Sequence, residues 1–348
     1  MSILSSRYGI AICEEESTYG TDQIDANISA GGAAFVYQPF TTLDITPVAD
    51  QYEPDQLRGS ASGIRHTQIP NHNTVSVTSP MRGKSGAAGT APNWAPVLKA
   101  ANFAETVNPG VSVSYNPSTA AVAGASFWKY ERELESGDFR AIRAYGVRGN
   151  ITFDFAISTE ATFSFDGMSA SFDDFTPART YFAADGTPAL DYSGAATGGA
   201  NTAAYPDKDR LICQNATVTI GGNSYPIASL SLDMAWSMSP IQVMLGSPTT
   251  SRVLLTRAAA SRPNGTFQLV DGDTAYSDAL ADWQSSAEMS ASLVFTNSTD
   301  TVTFTIQKMQ VGRPGPTDVG GLRAWDIPFF LNGYSALTGD DDVSIVFT

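Results

Sequence analysis

The amino-acid sequence predicts a mainly β protein, a β-sandwich or half-barrel with one short flanking helix in each of two tandem modules. Three observations support this prediction. Long stretches alternate polar and apolar residues with the period of two that a half-buried strand requires. Each half carries one short helical pattern that contains a tryptophan. Between the halves, residues 193–202 are small, uncharged and rich in glycine, which is typical of a flexible linker.

We therefore predict a first module at residues 1–175, a linker at 176–210 and a second module at 211–348. Two modules suit a chain of 348 residues, because each is long enough to bury its own core. The two modules repeat an order of elements and share no aligned identity.

The first module opens with segments that carry little periodicity. Residues 1–34 are polar and contain glycine, so we predict an irregular N-terminal arm. Residues 35–40 begin a strand, and residues 41–66 are predicted as a long loop with a charged segment at 50–62. An alternating strand at residues 73–79 precedes the first helix.

The first helix is predicted over residues 92–103. Asn93 is a suitable N-cap, and Pro96 is tolerated in the first turn, where its missing N–H would have no partner. Helical spacing places four apolar residues on one stripe: Trp94, Val97, Leu98 and Ala101.

The second helix is predicted over residues 277–288, after an alternating strand at residues 265–270. Ser277 is suited to cap this helix, and Asp278 lies near the positive end of its dipole. The apolar stripe consists of Ala279, Leu280 and Trp283.

The strongest strand signal covers residues 127–157. Residues 128–134 and 139–145 alternate on either side of a turn at 135–138, which predicts a hairpin. Gly146 and Gly149 are expected to interrupt this run before it resumes at residue 151, and a further strand is predicted at 161–166. Aromatic residues on one face and Thr, Asp and Ser on the other indicate a sheet with one buried face.

The second module shows the same type of pattern. Strands are predicted at residues 214–220 and 225–234 around a turn at 221–224. After the helix, residues 289–295 and 301–309 form a second hairpin signal, and the chain ends in an acidic turn and an apolar strand at residues 339–348.

The composition excludes some classes of function. Hydrophobic residues make up 42% and charged residues 16% of the chain, as in a folded protein. Serine, threonine, alanine, glycine and asparagine fill many polar positions, which suits strands packed against other protein. The net charge of −15 argues against tight nucleic-acid binding, which needs a basic face for the phosphates.

The N-terminus and the cysteines indicate where the protein is made. Cys13 and Cys213 are the two cysteines, and two lone thiols in a chain of this size are more often reduced and buried than paired. Residues 1–9 lack the pattern of a secretory signal, and no apolar run approaches the ~20 residues of a membrane span. We expect assembly in a reducing cytoplasm without export.

Taken together, the pattern resembles the tail tube (major tail) proteins of long, non-contractile phage tails. Four features carry the resemblance: Glu-x-x-Tyr-Gly-Thr at residues 16–21, the helix at 92–98, the β meander at 127–165 and the closing acidic strand at 339–347. The resemblance covers nearly the whole chain.

The resemblance implies a structural virion protein that assembles in the host cytoplasm. In such siphophage proteins, sheets join side by side into rings with an inner β-barrel. The rings stack into a tube around a tape-measure protein, between tail terminator and distal tail proteins, and genome DNA later passes through without specific binding. A duplicated chain would complete a six-module ring as a homotrimer. Candidate ring-to-ring contacts are the arm at 1–34 and the loop at 41–66, which are equally explained as surface loops.

Residues able to carry chemistry are scarce. His66 and His72 are the only histidines, and no Cys or carboxylate set nearby completes a metal site. Asp340, Asp341 and Asp342 lack the alternating ligands of a calcium loop, and residues 173–174 form another acidic turn. Residues 83–85, Gly-Lys-Ser, lack the upstream glycine of a phosphate-binding loop. We predict no catalytic, cofactor-binding or metal-binding residue, and no enzyme activity.

Two other functions remain as alternatives. A β-sandwich receptor-binding, adhesin or decoration protein would use exposed Trp and Tyr residues to line a carbohydrate groove, although core packing explains them more simply. A hydrolase on a β scaffold would need one of the two histidines, and no nucleophile motif accompanies them.

Overall fold

The computed structural model describes residues 10–29, 37–38, 40–52, 67–119, 124–132, 139–169, 210–241, 252–256, 262–270, 273–296, 300–333 and 341–348. Twenty strands and three α-helices lie within these ranges, and every strand pairing is antiparallel. The predicted mainly β class is confirmed.

Nine strands and two helices lie before residue 170. They are β1 (Ile10–Glu15), α1 (Gln23–Ser29), β2 (Tyr37–Gln38), β3 (Thr42–Tyr52), β4 (Thr67–Pro80), α2 (Ala95–Ala100), β5 (Phe103–Asn108), β6 (Ser112–Pro117), β7 (Ala125–Arg132), β8 (Phe139–Ala156) and β9 (Thr162–Met168).

Eleven strands and one α-helix lie after residue 209 in the described part of the chain. They are β10 (Ala216–Ile220), β11 (Asn223–Ser224), β12 (Ile227–Asp233), β13 (Ser237–Ile241), β14 (Arg252–Thr256), β15 (Asn264–Val270), α3 (Asp273–Ser285), β16 (Glu288–Thr296), β17 (Thr301–Val311), β18 (Gly315–Val319), β19 (Leu322–Leu331) and β20 (Val343–Phe347).

Eight strands form one continuous layer, which we call the inner sheet, in the order β3–β4–β9–β8–β12–β15–β19–β18. Four of these strands precede the predicted linker and four follow it. The two halves meet where β8 pairs with β12. The linker at 176–210 lies almost wholly outside the described residues, so the predicted domain boundary stays a prediction.

A second layer packs on one face of the inner sheet, in the order β5–β6–β20–β17–β16–β10–β11. Its C-terminal strand β20 lies between β6 of the first half and β17 of the second. Aromatic side chains fill the space between the layers; for example, the Phe153 ring lies 5.3 Å from Phe304, and Trp94 stacks on Phe163 at 4.8 Å. The two layers therefore share one apolar core that both halves build.

The order of pairing repeats between the halves. In the first, β3 pairs with β4, β4 with β9 and β9 with β8; in the second, β12 pairs with β15, β15 with β19 and β19 with β18. A helix follows β4 and β15, and a hairpin follows each helix, formed by β5 with β6 and by β16 with β17. The repetition that the sequence pattern indicates is thus present in the strand topology.

β8 takes part in two sheets, because it bends where the sequence predicted an interruption. Its first half pairs with β7, which pairs with β1, and its second half lies in the inner sheet. Gly146 adopts a φ of 65°, a left-handed conformation that glycine reaches without strain, and the strand continues through it. At Gly149 a Cβ atom would lie 2.6 Å from Cζ of Phe165, so this position needs glycine for close approach. The expected interruption at the two glycines was wrong, because β8 is continuous from Phe139 to Ala156.

The predicted irregular arm at 1–34 was wrong for residues 10–29. This segment forms β1 and α1, and it buries Ile12, Cys13 and Ile24 almost completely. The polar-apolar alternation of a strand is difficult to recognise here, because acidic residues such as Glu16 occupy buried positions. The buried Glu16 carboxylate accepts hydrogen bonds from the Gly20 N–H at 2.8 Å and the Ser126 hydroxyl at 3.0 Å, so the chain uses it as an internal acceptor.

The predicted long loop at 41–66 was also wrong in part. Residues 42–52 form β3, which pairs along its whole length with β4, while residues 53–66 lie outside the described residues. Pro47 and the charged residues around it suppress the strand signal. The pairing nevertheless runs from Thr42 opposite Thr78 to Tyr52 opposite Thr67.

Both helices exist, but neither begins as predicted. α2 starts after Trp94, and no side chain caps it; the Ala95 N–H bonds to the Pro92 carbonyl instead, so Asn93 is not the cap. Its predicted apolar stripe is fully buried. α3 begins four residues before Ser277, which therefore lies inside the helix, and Trp283 of its predicted stripe is 37% exposed.

Two predicted hairpins are confirmed, but the turn at residues 221–224 does not join its flanking strands β10 and β12 into a hairpin, because β10 pairs with β11 and β16 while β12 pairs with β8 and β15. β7 and β8 pair from Arg132 opposite Phe139, and β16 pairs with β17 from Thr296 opposite Thr301. Their turns lie outside the described residues, except for Asp300. β9 and β20 occupy the predicted strands at 161–166 and at the end of the chain.

The buried acids of the N-terminal segment make stability depend on pH. Burial raises the pKa of Glu14 to about 7 and, against the opposing effect of Arg143, that of Asp22 to about 6. The folded protein therefore binds these protons more tightly than the unfolded chain does. Stability is highest below the unfolded pKa and falls as pH rises towards the folded pKa.

We predict that Glu14→Gln raises the midpoint of urea unfolding above pH 7 and leaves it unchanged at pH 4. The glutamine removes the cost of ionising a desolvated carboxylate. Glu288→Gln is the control of opposite sign, because the hydrogen bond from Lys308 lowers the pKa of Glu288. This variant should therefore lower the midpoint of urea unfolding above pH 4.5. Equal effects of Glu14→Gln at both pH values would contradict the assignment.

Candidate functional site

The outer face of the inner sheet, away from the core, is mainly polar from β3 to β15, whereas β19 adds the exposed Phe330 and Leu322. Residues directly opposite one another in an antiparallel sheet point to the same side. One such row runs across six strands: Thr78, Ser164, Thr152, Asp233, Asn264 and Phe330. The alternate rows hold the core residues, among them Phe163, Phe153 and Leu232. We call the polar side the acidic face.

Five carboxylates define the acidic face: Asp44 on β3, Asp166 on β9, Asp154 on β8, Asp233 on β12 and Asp326 on β19. The Ser76 hydroxyl donates to Asp166 at 2.9 Å, and the Asn150 amide donates to Asp233 at 2.7 Å. In the described rows the one basic residue is Arg148, whose guanidinium lies 4.1 Å from the Tyr19 ring centroid. Lys129, from β7, approaches Asp44 at 3.8 Å. The face is therefore strongly negative.

The acidic face is concave where the two halves meet. An open depression of about 730 Å³ spans β8, β9, β12, β15 and β19, and Asp154, Glu160 and Asp326 lie along it. Serine, threonine and glutamine supply most of its other side chains. The depression combines these polar side chains with the apolar Phe155, Ala156 and Leu230.

The two ends of the inner sheet are strand edges. Among the described residues, β3 pairs with β4 alone and β18 pairs with β19 alone. An edge strand presents a row of backbone N–H and C=O groups that can pair with another chain. β18 is only five residues long and contains Pro316, which has no N–H.

Each half extends one hairpin beyond the inner sheet. β4 pairs with β9 only from Thr74 onward, so residues 47–52 and 67–73 form a two-stranded extension. In the second half, β13 and β14 form the corresponding extension between β12 and β15. This one folds back on the first half: the Val253 N–H donates to the Tyr19 hydroxyl at 2.7 Å, and the Trp236 N–H donates to Asn150 at 3.0 Å.

Comparison with known families decides what this architecture belongs to. The family model described as phage tail tube protein matches residues 5–345, nearly the whole chain. The chain belongs to the phage tail tube protein family. A search of curated proteins gave no match. The match confirms the resemblance drawn from the sequence, and it supports a structural component of the virion tail. It also covers both halves with one family model.

The histidines of this tail tube protein form no site in the part that the structure describes. His72 is buried on β4 opposite Val48, and His66 lies outside the described residues. No group of three or more His, Cys, Asp or Glu residues suited to a metal ion occurs among the described residues. No described helix is long and apolar enough to cross a membrane.

The acidic turns contribute to structure where they are described. Asp342 is buried at the start of β20, and Asp341 is partly buried beside it. Asp340 and residues 173–174 lie outside the described residues. The cysteines are both free; burial raises the pKa of the Cys13 thiol well above its usual value, which keeps it protonated.

The Gly-Lys-Ser segment at residues 83–85 contacts the end of the C-terminal strand β20 through Lys84. The Lys84 ammonium lies 2.9 Å from a carboxylate oxygen of Asp300 and donates to the Thr348 carbonyl at 2.8 Å. Both side chains of the ion pair are almost fully buried. Asp300 also packs against Gly83, where a side chain would clash with it. Lys84 therefore links the first half to the second, and phosphate binding is not its use.

The five tryptophans, all of which lie among the described residues, are used mainly in packing. Trp94, Trp128 and Trp236 are buried, and Trp325 stacks on Tyr276 at 3.8 Å. Trp283 on α3 is the tryptophan with the largest exposure, at 37%. Core packing thus accounts for most of the aromatic residues that a carbohydrate-binding protein would display.

The acidic face was missed in the sequence as a functional surface, although its signal is present. Asp44, Asp154, Asp166 and Asp326 each occupy the polar phase of an alternating strand. What the pattern lacks is the order in which the strands pair, because that order joins strands more than 70 residues apart, such as β8 and β12.

We predict that Lys84→Met lowers the free energy of unfolding by about 3–5 kcal/mol, because it leaves the Asp300 carboxylate buried without its partner. The control is Lys308→Met, which removes the solvent-exposed ion pair with Glu288 and should cost much less stability than Lys84→Met. Urea denaturation followed by tryptophan fluorescence measures both. Equal losses of unfolding free energy in the two variants would show that the buried ion pair contributes no more to stability than the exposed one.

Proposed function

We propose that this protein self-assembles into rings that stack into the hollow tail tube of a long, non-contractile phage tail, and that genome DNA passes through this tube during ejection. The single observation that carries the proposal is the inner sheet, with one apolar face in the core, one acidic face and an edge at each end. Family membership supports the same role. Assembly in the host cytoplasm precedes incorporation into the virion.

Ring closure accounts for the two edges of the inner sheet. A sheet that continues from copy to copy and closes on itself leaves no strand edge exposed. Eight antiparallel strands per chain keep neighbouring strands antiparallel at each junction. Three chains of two four-stranded sets each would give a trimer with pseudo-sixfold symmetry.

The charge of the acidic face suits the wall of a channel for DNA. Carboxylates there repel phosphate and prevent the polyanion from binding as it moves. A tape-measure protein would occupy the same channel before DNA, and terminator and distal tail proteins would close the two ends.

The hairpin extension of β3 and β4 is the candidate for contacts between stacked rings. It projects beyond the inner sheet with its strands paired, which gives it stiffness that an isolated loop lacks. The segments at residues 1–9 and 30–34 from the predicted arm remain further candidates.

We predict that the purified protein at high concentration forms hollow tubes with a regular axial repeat in negative-stain electron microscopy, with three chains per ring after averaging. Assembly follows from burial of the strand edges and should therefore rise steeply with protein concentration. Discrete particles that bind glycan and never stack would instead support the receptor-binding alternative.

We further predict that Asp154→Cys in a Cys213→Ser background loses reactivity towards a maleimide carrying a long polyethylene glycol chain when tubes form. The bulky reagent is excluded from the channel, whereas N-ethylmaleimide still enters. Asp278→Cys, on the exposed surface of α3 at the opposite face of the sheet, is the matched control and stays reactive. Protection of Asp278→Cys with a reactive Asp154→Cys would place the acidic face outside the tube.

A further inference from the structure

The Glu-x-x-Tyr-Gly-Thr segment at residues 16–21 forms a turn that contacts both halves of the chain. The buried Glu16 carboxylate accepts hydrogen bonds from the Gly20 N–H at 2.8 Å and from the Gly146 N–H at the bend of β8. Gly20 has a φ of 78°, a left-handed conformation that glycine adopts without strain. The turn is thereby fixed to the first half, and its Tyr19 side chain reaches the second half.

The Tyr19 side chain is held by three contacts. The Arg148 guanidinium lies 4.1 Å from the centroid of its ring. Gly124 leaves room for the ring, because a Cβ atom there would lie 3.1 Å from two of the ring carbons. The Tyr19 hydroxyl accepts a hydrogen bond from the Val253 N–H at 2.7 Å, and Val253 is only 1% exposed. The hydroxyl therefore satisfies a buried backbone donor of β14, which is costly to leave without a partner.

The hairpin of β13 and β14 depends on such contacts for its position. Within the described residues these two strands pair only with each other, and Ala235, with a φ of 54°, separates β13 from β12. A two-stranded hairpin by itself is marginally stable in water. The extension of β3 and β4 differs, because its strands continue into the inner sheet. Contacts with the first half must therefore fix the position of β13 and β14.

Two backbone donors of the second half make these contacts on the side of the acidic face. At the start of β13 the Trp236 N–H donates to Asn150 at 3.0 Å, and on β14 the Val253 N–H donates to Tyr19. Asn150 and Arg148 lie on the acidic-face side of β8, because they flank Gly149 and alternate with the buried Ile151. The hairpin is therefore held over one end of the acidic face of the first half.

The exposed side of this hairpin carries no charge at its described positions. Ser239 lies opposite Leu254, and Ser237 lies opposite Thr256, so these four exposed side chains share one side. Leu254 is 45% exposed. Surfaces that carry carboxylates repel the same surfaces of another copy, whereas an uncharged strip with an exposed leucine adds no such repulsion. This side of the hairpin is therefore suited to contact a second copy of the chain.

We propose that Tyr19 is a positioning residue for assembly, whose hydroxyl holds the hairpin of β13 and β14 in the orientation in which it contacts a second copy of this chain. The inference rests on the proposed tube assembly and adds a residue that controls it from outside the contact. Glu16 and Gly20 act through Tyr19, because they shape the turn that carries it.

The first test is hydrogen exchange of the unassembled protein, resolved to single amides by mass spectrometry. Tyr19→Phe keeps the ring and removes the acceptor. The Val253 amide should then exchange about tenfold faster, the ratio that corresponds to loss of one hydrogen bond, while the amides of β9 are unchanged. Tyr225→Phe, at a partly buried tyrosine between β11 and β12, is the matched control and leaves Val253 unchanged. Unchanged exchange of Val253 in Tyr19→Phe would overturn the inference.

The second test is tube formation followed by negative-stain electron microscopy over a series of protein concentrations. Tyr19→Phe should need about fivefold more protein than the unmodified chain, and Tyr225→Phe should need the same amount. Circular dichroism checks that both variants are folded. Tubes of Tyr19→Phe at the unmodified concentration would overturn the positioning role and leave the tube function standing. Absence of tubes from the unmodified protein would instead remove the proposed function.

A pair of variants at Gly20 tests the turn without changing Tyr19. A Cβ atom at Gly20 would meet no atom within 4 Å, so a substitution acts through the backbone conformation alone. Valine rarely adopts this conformation, whereas asparagine tolerates it. Gly20→Val should therefore reproduce the faster exchange of Val253 and the higher assembly concentration, and Gly20→Asn should stay close to the unmodified protein. Equal behaviour of the two variants would contradict the role of the turn.

Discussion

The backbone pairing of β8 with β12 is the interaction on which the rest of the structure depends. Each half supplies four strands to the inner sheet, and each four-stranded set has two edges. Pairing β8 with β12 removes one edge from each set and merges the two apolar faces into one. The continuous acidic face, the shared core and the position of the two remaining edges all follow from that junction.

The second layer holds this junction in place. β20 pairs with β6 on one side and with β17 on the other, so the last strand of the chain is covered by both halves. Phenylalanines from β8 meet phenylalanines of β16 and β17 directly behind the junction, with Phe155 stacked 5.2 Å from Phe295. Lys84 then ties the end of β20 to the first half. Each half therefore stabilises the other, and neither layer belongs to one half alone.

Local features of the fold could be predicted from the sequence, because they depend on residues close together in the chain. Period-two alternation in 127–157 and 289–309 predicted both hairpins, and the stripe of α2 predicted its buried face. The segment at 10–29 was missed because Glu16 and Asp22 look like surface residues, yet the fold supplies them with buried donors, including the Trp128 indole N–H at 3.0 Å.

Long-range features could not be predicted in the same way. The polar-apolar pattern of β3 does not identify the strand with which β3 pairs. Register is set by turn geometry and by side chains far along the chain. The acidic face was visible strand by strand, as Asp154 and Asp233 show, but the sequence does not reveal that their strands, β8 and β12, are neighbours. The repeated order of strands and helix was the one long-range feature that the sequence indicated, because this order is recognisable even where the two halves share no aligned identity.

The junction of β8 with β12 forms in a different process from any junction between two chains, because it forms during folding and not by association. Its formation therefore has no dependence on concentration and costs no translational freedom of a partner. A junction between chains carries that entropic cost at every closure. In the ring that we propose, a chain that contains two sets would therefore halve the number of junctions to be formed between chains. The junction of β8 with β12 would persist while the chain is folded, whereas the junctions between chains would open on dilution.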